Sequence, residues 1–493
     1  MVENALLIGV DVGTSAIRAS AYTDSGARVA GVRRQRTRVY ATTFDAAQMW
    51  MDFVACVREL ALMVSPSNIM GLGFAGHVGT VLVGGDARSV GDGFLWSDTR
   101  GSDALRALWR ERPEIARETG RTMPTGSSLA LLCWARDEKR DLLEQVRLAL
   151  TPKDYLVLGV TGVPGTDVTS AAYSLAFNVR KLTWVTEVIE GSGLRSSHFP
   201  SAVTPSTVVG NVTPASASIL GLAAGTSVVC GGPDGSVGAA ALLGGEVGPV
   251  ADVAGTTDVV TALTGACDFA PPSGAVLNPF VAPNLWSYGG PTGLTGGAAV
   301  WLAGALGYPD LGAALRELGP MMEALPPGCE GLLVVPFLTG SRFPEWDGLE
   351  RGTLHGLGRQ HQPQHLLRAA QEGAAFAARC ALEHMVSSQD GGRSGRAILL
   401  GGGAAASPAA ARLRADVLGA PVLVGEDAEV SARGAAMLAG IGCGVFEDLA
   451  SAHRAMHPRM AVVAPDPDRA RLFEAAYARW GGVRECLRTI RSE

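Results

Sequence analysis

Apolar residues gather into short runs separated by turns from the first positions of the chain. Residues 5 to 11 and 16 to 23, rich in Val, Ile, Leu and Ala, predict two strands, Asp24-Ser25-Gly26 supplies a turn, and 27 to 33 predict a third. The period then changes. From Phe44 to Met63 the apolar positions Met49, Phe53, Val57 and Leu60 recur at helical spacing, and "IMGLGFAG" at 69 to 76 reads as a buried strand. Strand meander, helix and strand make an α/β unit.

The alternation continues through helices predicted at 101 to 112 and 127 to 146, until "TSVVCGGPDG" (226 to 235) runs a strand into a glycine-rich turn that carries Asp234. At 250 to 265, "VADVAGTTDVVTALTG" repeats the opening grammar of strand, Gly-Thr-[Ser/Thr] and strand found in "VDVGTSAIRAS". The chain restarts there, which predicts two similar α/β halves joined near 240 to 250. The second half continues with "GLLVVPFLTG" (331 to 340), a long Ala-rich helix from about 363 to 386, and a strand, triple-glycine turn, helix and strand over 397 to 424. Residues 455 to 493 predict a loop and an amphipathic helix from about 467, with Leu472, Ala476, Trp480 and Val483 as its stripe.

Composition narrows the function classes. The 493 residues, 47% hydrophobic and 18% charged, suffice for two or three domains with substantial cores. A net charge of -6 argues against nucleic acid or an anionic membrane as main partner and favours small ligands. The eight cysteines are scattered without a CxxC, so reduced and mostly buried thiols are expected. The opening residues lack a basic stretch before an apolar core, and no uncharged apolar run reaches about 18 residues, so neither a signal peptide nor a membrane helix is predicted and a cytoplasmic location is expected.

Three glycine-rich strand ends, at 13 to 15, 255 to 257 and 401 to 403, offer backbone amides of the kind that cradle phosphates. The lysines test which phosphate chemistry fits. Only Lys139, Lys153 and Lys181 are present and none follows a glycine-rich loop, which excludes a Walker A motif and a protein-kinase fold. "DVGTSAI" has a single glycine, so the Rossmann fingerprint and nicotinamide chemistry are disfavoured too. Phosphate charge must then be met by amides and Mg²⁺. Asp11, at a strand end beside Gly-Thr, suits the hydration shell of that ion; equally, it could cap its own turn. Lys153 and Asp154 in "PKDYL" open a helix and read as architectural.

Taken in order, "IGVDVGTSAIRA", "LWSDTRG", "TPKDYLVLGVTG", "TDVTSAAYSLAFNV", "GGPDGSVGAA", "VAGTTDV", "PFLTGSRFP" and "LLGGGAAASPAAARLRADVLGAPV" resemble the FGGY carbohydrate kinases, most closely the xylulokinases among them, over residues 6 to 440. That resemblance implies two actin-like (ribonuclease H-like) α/β domains facing a central cleft, here 1 to 244 and 245 to 493. Sugar would be held mainly by the first and ATP mainly by the second. It implies Asp11, Gly13, Thr14, Ser15 and Arg18 for the first phosphate loop, Gly255, Thr256 and Thr257 for the second, and Gly401, Gly402 and Gly403 along the adenosine. Asp234 falls on the family's catalytic aspartate, with Asp11 and Asp234 toward Mg²⁺, and His77, Val78, Trp96, Asp98 and Gly235 toward the sugar. For Trp96 core packing, and for Asp98 a structural pair with Arg100, are equally open readings. A homodimer is common in similar proteins.

The resemblance weakens at the sugar. Xylulokinases usually carry Gln-Met-His-Gly where this chain has His77-Val78-Gly79-Thr80; the Asn after the catalytic Asp is Gly235, and an acidic residue is replaced by Ser341. Each change removes a side chain able to read a hydroxyl, so another ketopentose, a deoxy sugar or a polyol stays open beside D-xylulose. A nucleotide-binding but silent sugar sensor or scaffold is the reading from another class.

Overall fold

A computed structural model describes residues 5–121, 127–387 and 396–492. At its centre the strand Leu6–Val12 is buried along its whole length, as the unbroken apolar run requires of a strand covered on both faces. It pairs antiparallel with Ala16–Thr23, which pairs with Arg28–Gln35; on the other side it lies parallel to Ile69–Gly76, followed by Ser227–Pro233 and Val208–Asn211. The helix Ala46–Ala61 covers one face and fully buries Met49, Phe53, Val57 and Leu60. Asp45 caps it, accepting the Gln48 N–H at 2.9 Å.

The second half repeats this order. Val250–Ala254 pairs antiparallel with Asp258–Thr264, which leads to Trp286–Pro291 and Val276–Pro279, and parallel with Ile398–Gly402, which leads to Val422–Gly425 and Met460–Val463. Each central strand thus has a hairpin partner on one side and a parallel neighbour on the other. The restart read from one short match is a repeat of topology.

Two helices join the halves. Asp234–Leu243 leaves the end of Ser227–Pro233 and packs beside Val430–Gly442, which comes from the second half yet lies on Leu6–Val12 and Ile69–Gly76 of the first sheet. Leu7, Ala75, Val237, Ala240, Ala435 and Ala439 share one core there. The approach is close enough to demand glycine: a Cβ at Gly9 would stand 1.7 Å from the Ala432 carbonyl oxygen, and one at Gly73 1.9 Å from that of Ala435.

Several elements differ from expectation. The helix predicted at 127 to 146 is broken at Lys139 into Ser128–Glu138 and Arg140–Gln145. Residues 331 to 340, for which the sequence pattern assigns no element, contain the short strand Leu333–Val335. The tail before Pro467–Ser492 is no simple loop, since Leu449–Met456 runs into it and Met460–Val463 forms a sheet edge. In that last helix Leu472 is 55% exposed while Phe473 is buried, because the stripe facing Phe376 is Phe473, Ala476 and Trp480. All eight cysteines are free, with Cys56, Cys133, Cys230 and Cys329 buried, but Cys267 and Cys486 exposed. Among the described residues no helix is long and apolar enough to cross a membrane.

Candidate active site

The strand ends of both halves open on one cavity of about 2000 Å³, mouth included. Asp11, Thr14, Ser15 and Arg18 line it from the first hairpin, Gly255, Thr256 and Thr257 from the second, and Gly402 and Gly403 from the third glycine turn. Asp234, Gly235, His77, Val78 and Trp96 complete the wall among the predicted positions. Gly13, Gly401 and Asp98 are not part of it. Gly13 shapes the turn, its amide donating to the Ala16 carbonyl at 3.0 Å, and Gly401 backs onto Leu242 and Val430. Of the two readings open for Asp98, the geometry is that of the pair with Arg100: Asp98 is buried, and its carboxylate accepts from the Arg100 side chain at 2.5 and 3.0 Å and from the Arg100 amide at 3.0 Å.

Asp11 sits at the buried end of its strand, with Arg18 directly opposite in the hairpin register. Arg18 Nη1 donates to Oδ2 at 3.1 Å and its Nε reaches Glu429 at 3.2 Å, whereas Asp11 Oδ1 is buried with no hydrogen-bond partner among the described residues. Burial pushes the Asp11 carboxyl up to about 6, Arg18 opposes the shift and Asp234 adds to it. A buried carboxylate oxygen that no protein donor reaches fits a cation; a turn-capping Asp would have accepted amides instead.

Asp234 is the first residue of its helix, so the free amides of the helix start surround it. The Gly235 N–H donates to Oδ1 at 2.8 Å, and the Asp234 carbonyl accepts from Ser431 Oγ of the other half at 3.1 Å. Burial raises its carboxyl above the ordinary range against the pull of the Gly235 amide and Arg18. A carboxylate with one oxygen fixed, at the rim of a cavity, can accept a proton from a bound hydroxyl.

His77 is buried, 3.0 Å by Nε2 from Arg36 Nη1 and 3.2 Å by Nδ1 from the Gly79 amide, with its ring edge-on to Phe44. Burial and then Arg36 hold its pKa well below the usual value, so it stays neutral. Gly79 permits this arrangement, since a Cβ there would come 2.8 Å from His77 Cε1 and 2.5 Å from the Phe94 carbonyl oxygen. The altered loop therefore packs His77 inward. Trp96 is half-buried and carries Arg342 over its ring at 3.8 Å, across the cleft.

The N-terminal domain profile of the FGGY family of carbohydrate kinases matches residues 6–243, and the C-terminal domain profile matches residues 250–443. The chain belongs to the FGGY family of carbohydrate kinases. It is accordingly a phosphotransferase with an alcohol group as acceptor. This FGGY kinase is 28% identical to the xylulose kinase of Bacillus subtilis over 458 residues, 90% of this chain and 89% of that one. It is 29% identical to a glycerol kinase of Citrifermentans bemidjiense over 491 residues, 90% of this chain and 92% of that one. Its fold matches the crystal structure of a xyloylose kinase from Brucella ovis at a TM-score of 0.82, with 23% identity, 98% of this chain and 100% of that one.

The kinase's lysine behaves as architecture. Lys153 Nζ is buried between Asp154 (2.5 Å), Asp167 (2.8 Å) and the Cys230 carbonyl (3.3 Å), and so anchors the strand Ser227–Pro233 that leads into Asp234. Asp154, Asp167 and Cys230 stand close enough to gather a metal, but this ammonium holds their centre. Other wall residues escaped the sequence reading: Arg121, Tyr173, Arg342 and Glu429. Arg342 lies inside "PFLTGSRFP" and Tyr173 inside "TDVTSAAYSLAFNV", while Arg121 stands in no pattern that sets it apart.

Proposed function

We propose that this kinase transfers the γ-phosphoryl group of Mg·ATP to a hydroxyl of a small sugar bound against Asp234. The observation that supports this reading most is the pair Asp11 and Asp234: a buried and a half-buried carboxylate on separate strand ends of one cavity, Asp234 near enough to raise the charge cost of Asp11, whose Oδ1 has no hydrogen-bond partner among the described residues. Similarity to xylulose kinase makes a ketopentose such as D-xylulose the reference acceptor, and similarity to glycerol kinase brings shorter polyols into the same class.

Asp234 acts as general base. Its Oδ1 is held by the Gly235 amide, which leaves the other oxygen to take the acceptor's proton, and its raised pKa brings its basicity toward neutral pH. The amides and hydroxyls of Thr14, Ser15, Thr256 and Thr257 face the phosphates, with Gly402 and Gly403 flanking the nucleoside. Asp11, kept in place by Arg18, and Asp234 would hold Mg²⁺, which when bound neutralises charge on the transferring phosphoryl group.

The test is an ADP-release assay with Mg·ATP against D-xylulose, D-ribulose, L-ribulose, L-xylulose, erythritol, glycerol and fuculose, run beside Asp234→Asn. Loss of a positioned base should lower turnover by about 10²- to 10⁴-fold, while calorimetry shows ATP binding preserved. Turnover retained within about tenfold would remove Asp234 from the role of base.

A further inference from the structure

Two arginines in the cavity wall have no acidic partner. Arg121 is 5% exposed, its guanidinium lies over the Tyr173 ring at 4.2 Å, and one Nη donates to Asn278 Oδ1 at 3.0 Å. Its Nε is buried without a hydrogen-bond partner among the described residues. Arg342 lies 3.8 Å above Trp96 and has only a long 3.5 Å contact to the Trp96 carbonyl. Neither forms an ion pair among the described residues; of the other buried arginines, Arg368, Arg379, Arg414, Arg433 and Arg484 each hold a carboxylate, and Arg36, which does not line the cavity, binds the Gly13 carbonyl and His77 instead.

The two cations also act on each other. Burial, followed by the charge of Arg121, lowers Arg342 to about 9, and the only group that opposes the shift is Tyr173. Like charges brought together out of water are retained where an anion is to be bound between them. The carboxylates that line the cavity lie elsewhere: Asp11 and Glu429 share Arg18, and Asp234 accepts from the Gly235 amide.

Resting on the kinase reading of this cleft and going beyond its neutral acceptor, we propose that the phosphoryl acceptor carries a carboxylate, clamped by Arg121 and Arg342 between Trp96 and Tyr173. The substrate class is then a sugar acid of the aldonate type. One end presents a hydroxyl to Asp234 and the other its carboxylate to the arginines. The hydroxyl oxygen forms the new P–O bond, the bond between the γ-phosphorus and the bridging oxygen breaks, ADP leaves, and the proton passes to Asp234; the acceptor's carboxylate is unchanged.

The experiment uses matched acceptors that differ in charge at one end: D-gluconate against D-glucitol, and D-xylonate against xylitol, with D-xylulose alongside. With Mg·ATP, kcat/KM for the acid should exceed that for the matched polyol by about 100-fold or more. Arg121→Met should collapse that ratio by raising KM for the acid, and Arg121→Lys, which keeps the charge but loses the planar fork, should restore part of it. Preference for the polyol or for D-xylulose overturns the proposal, as does an Arg121→Met effect equal on acid and polyol. If Arg121→Met weakens Mg·ATP binding by calorimetry whichever acceptor is present, the arginines serve phosphate and the proposal fails. Should the variants not fold, the wild-type ratio decides alone. The absence of ADP from every acceptor would sink the kinase reading instead; D-gluconate binding by calorimetry then still tests the clamp.

Discussion

At the residue scale, one position of register separates a cleft carboxylate from a buried one. Asp11 stands two residues before its glycine turn, Asp252 three before Gly255, so alternation along the strand sends Val253 to the cavity and Asp252 to the opposite face. There Asp252 meets Arg414, which also holds Asp258. Burial lifts the Asp252 carboxyl to about 7, Arg414 opposes this, and Asp258 adds to it. Between about pH 4, where the unfolded carboxyl loses its proton, and pH 7 the folded state keeps a proton that the unfolded chain has released. Stability from this group therefore falls as pH rises through that window, and above it the ionised form carries the full burial cost. Asp252→Asn should stabilise the protein at pH 8 by about 1 kcal/mol and lose that gain toward pH 5, as read from urea midpoints. A variant less stable than the parent at pH 8 would show that the pair with Arg414 outweighs burial. Asp11 and Asp234 were legible because a carboxylate at a strand end beside glycine is a local pattern. The lack of a counter-charge on Arg121 and Arg342 is a statement about every neighbour, and no window of sequence contains it.

At the scale of elements, helical and strand periods placed the Ala46–Ala61 helix, the Pro363–Ser387 helix and the central strands of both sheets to within a few residues, but not the outer strands Val208–Asn211, Val276–Pro279, Trp286–Pro291 and Met460–Val463. They failed where tertiary demands set the phase. Glu138-Lys139-Arg140 are good helix formers, yet the chain turns at Lys139 and goes on to Leu148–Leu150, which pairs with Val81–Val83. Leu472 and Phe473 are adjacent apolar residues, and only the position of Phe376 selects the second. The most demanding contact is the Val430–Gly442 helix on the first sheet. Gly73→Ala would press a methyl against the Ala435 carbonyl, a backbone atom that cannot swing aside, and should cost about 3 kcal/mol or more, visible as a lowered thermal midpoint. An unchanged midpoint would mean that helix and sheet separate more easily than their packing implies.

At the scale of the whole molecule, the halves meet through the two paired helices and through contacts that cross the cleft. Arg342 lies on Trp96, Arg121 bonds Asn278, Trp286 Nε1 donates to the Val179 carbonyl at 2.8 Å, and Ser431 holds the backbone of Asp234. With the acceptor against Trp96, as we propose, its binding would be coupled to the relation of the halves through the Arg342 contact. Trp96→Ala should raise the acceptor KM by about tenfold while ATP binding changes by less than about threefold, the scale of one cation–π contact; an unaffected acceptor KM in steady-state rates would confine Trp96 to packing. The sequence by itself determined the central strands and the main helices, the restart near residue 250, the glycine turns and the strand-end acids, because backbone preference and periodic burial are written in neighbouring residues. Tertiary structure alone decided which carboxylates face the cleft, that a helix from the second half roofs the first sheet, that Asp98 serves Arg100, and that two arginines share a cavity wall without an anion. Those outcomes depend on residues up to several hundred positions apart, brought together by packing and charge.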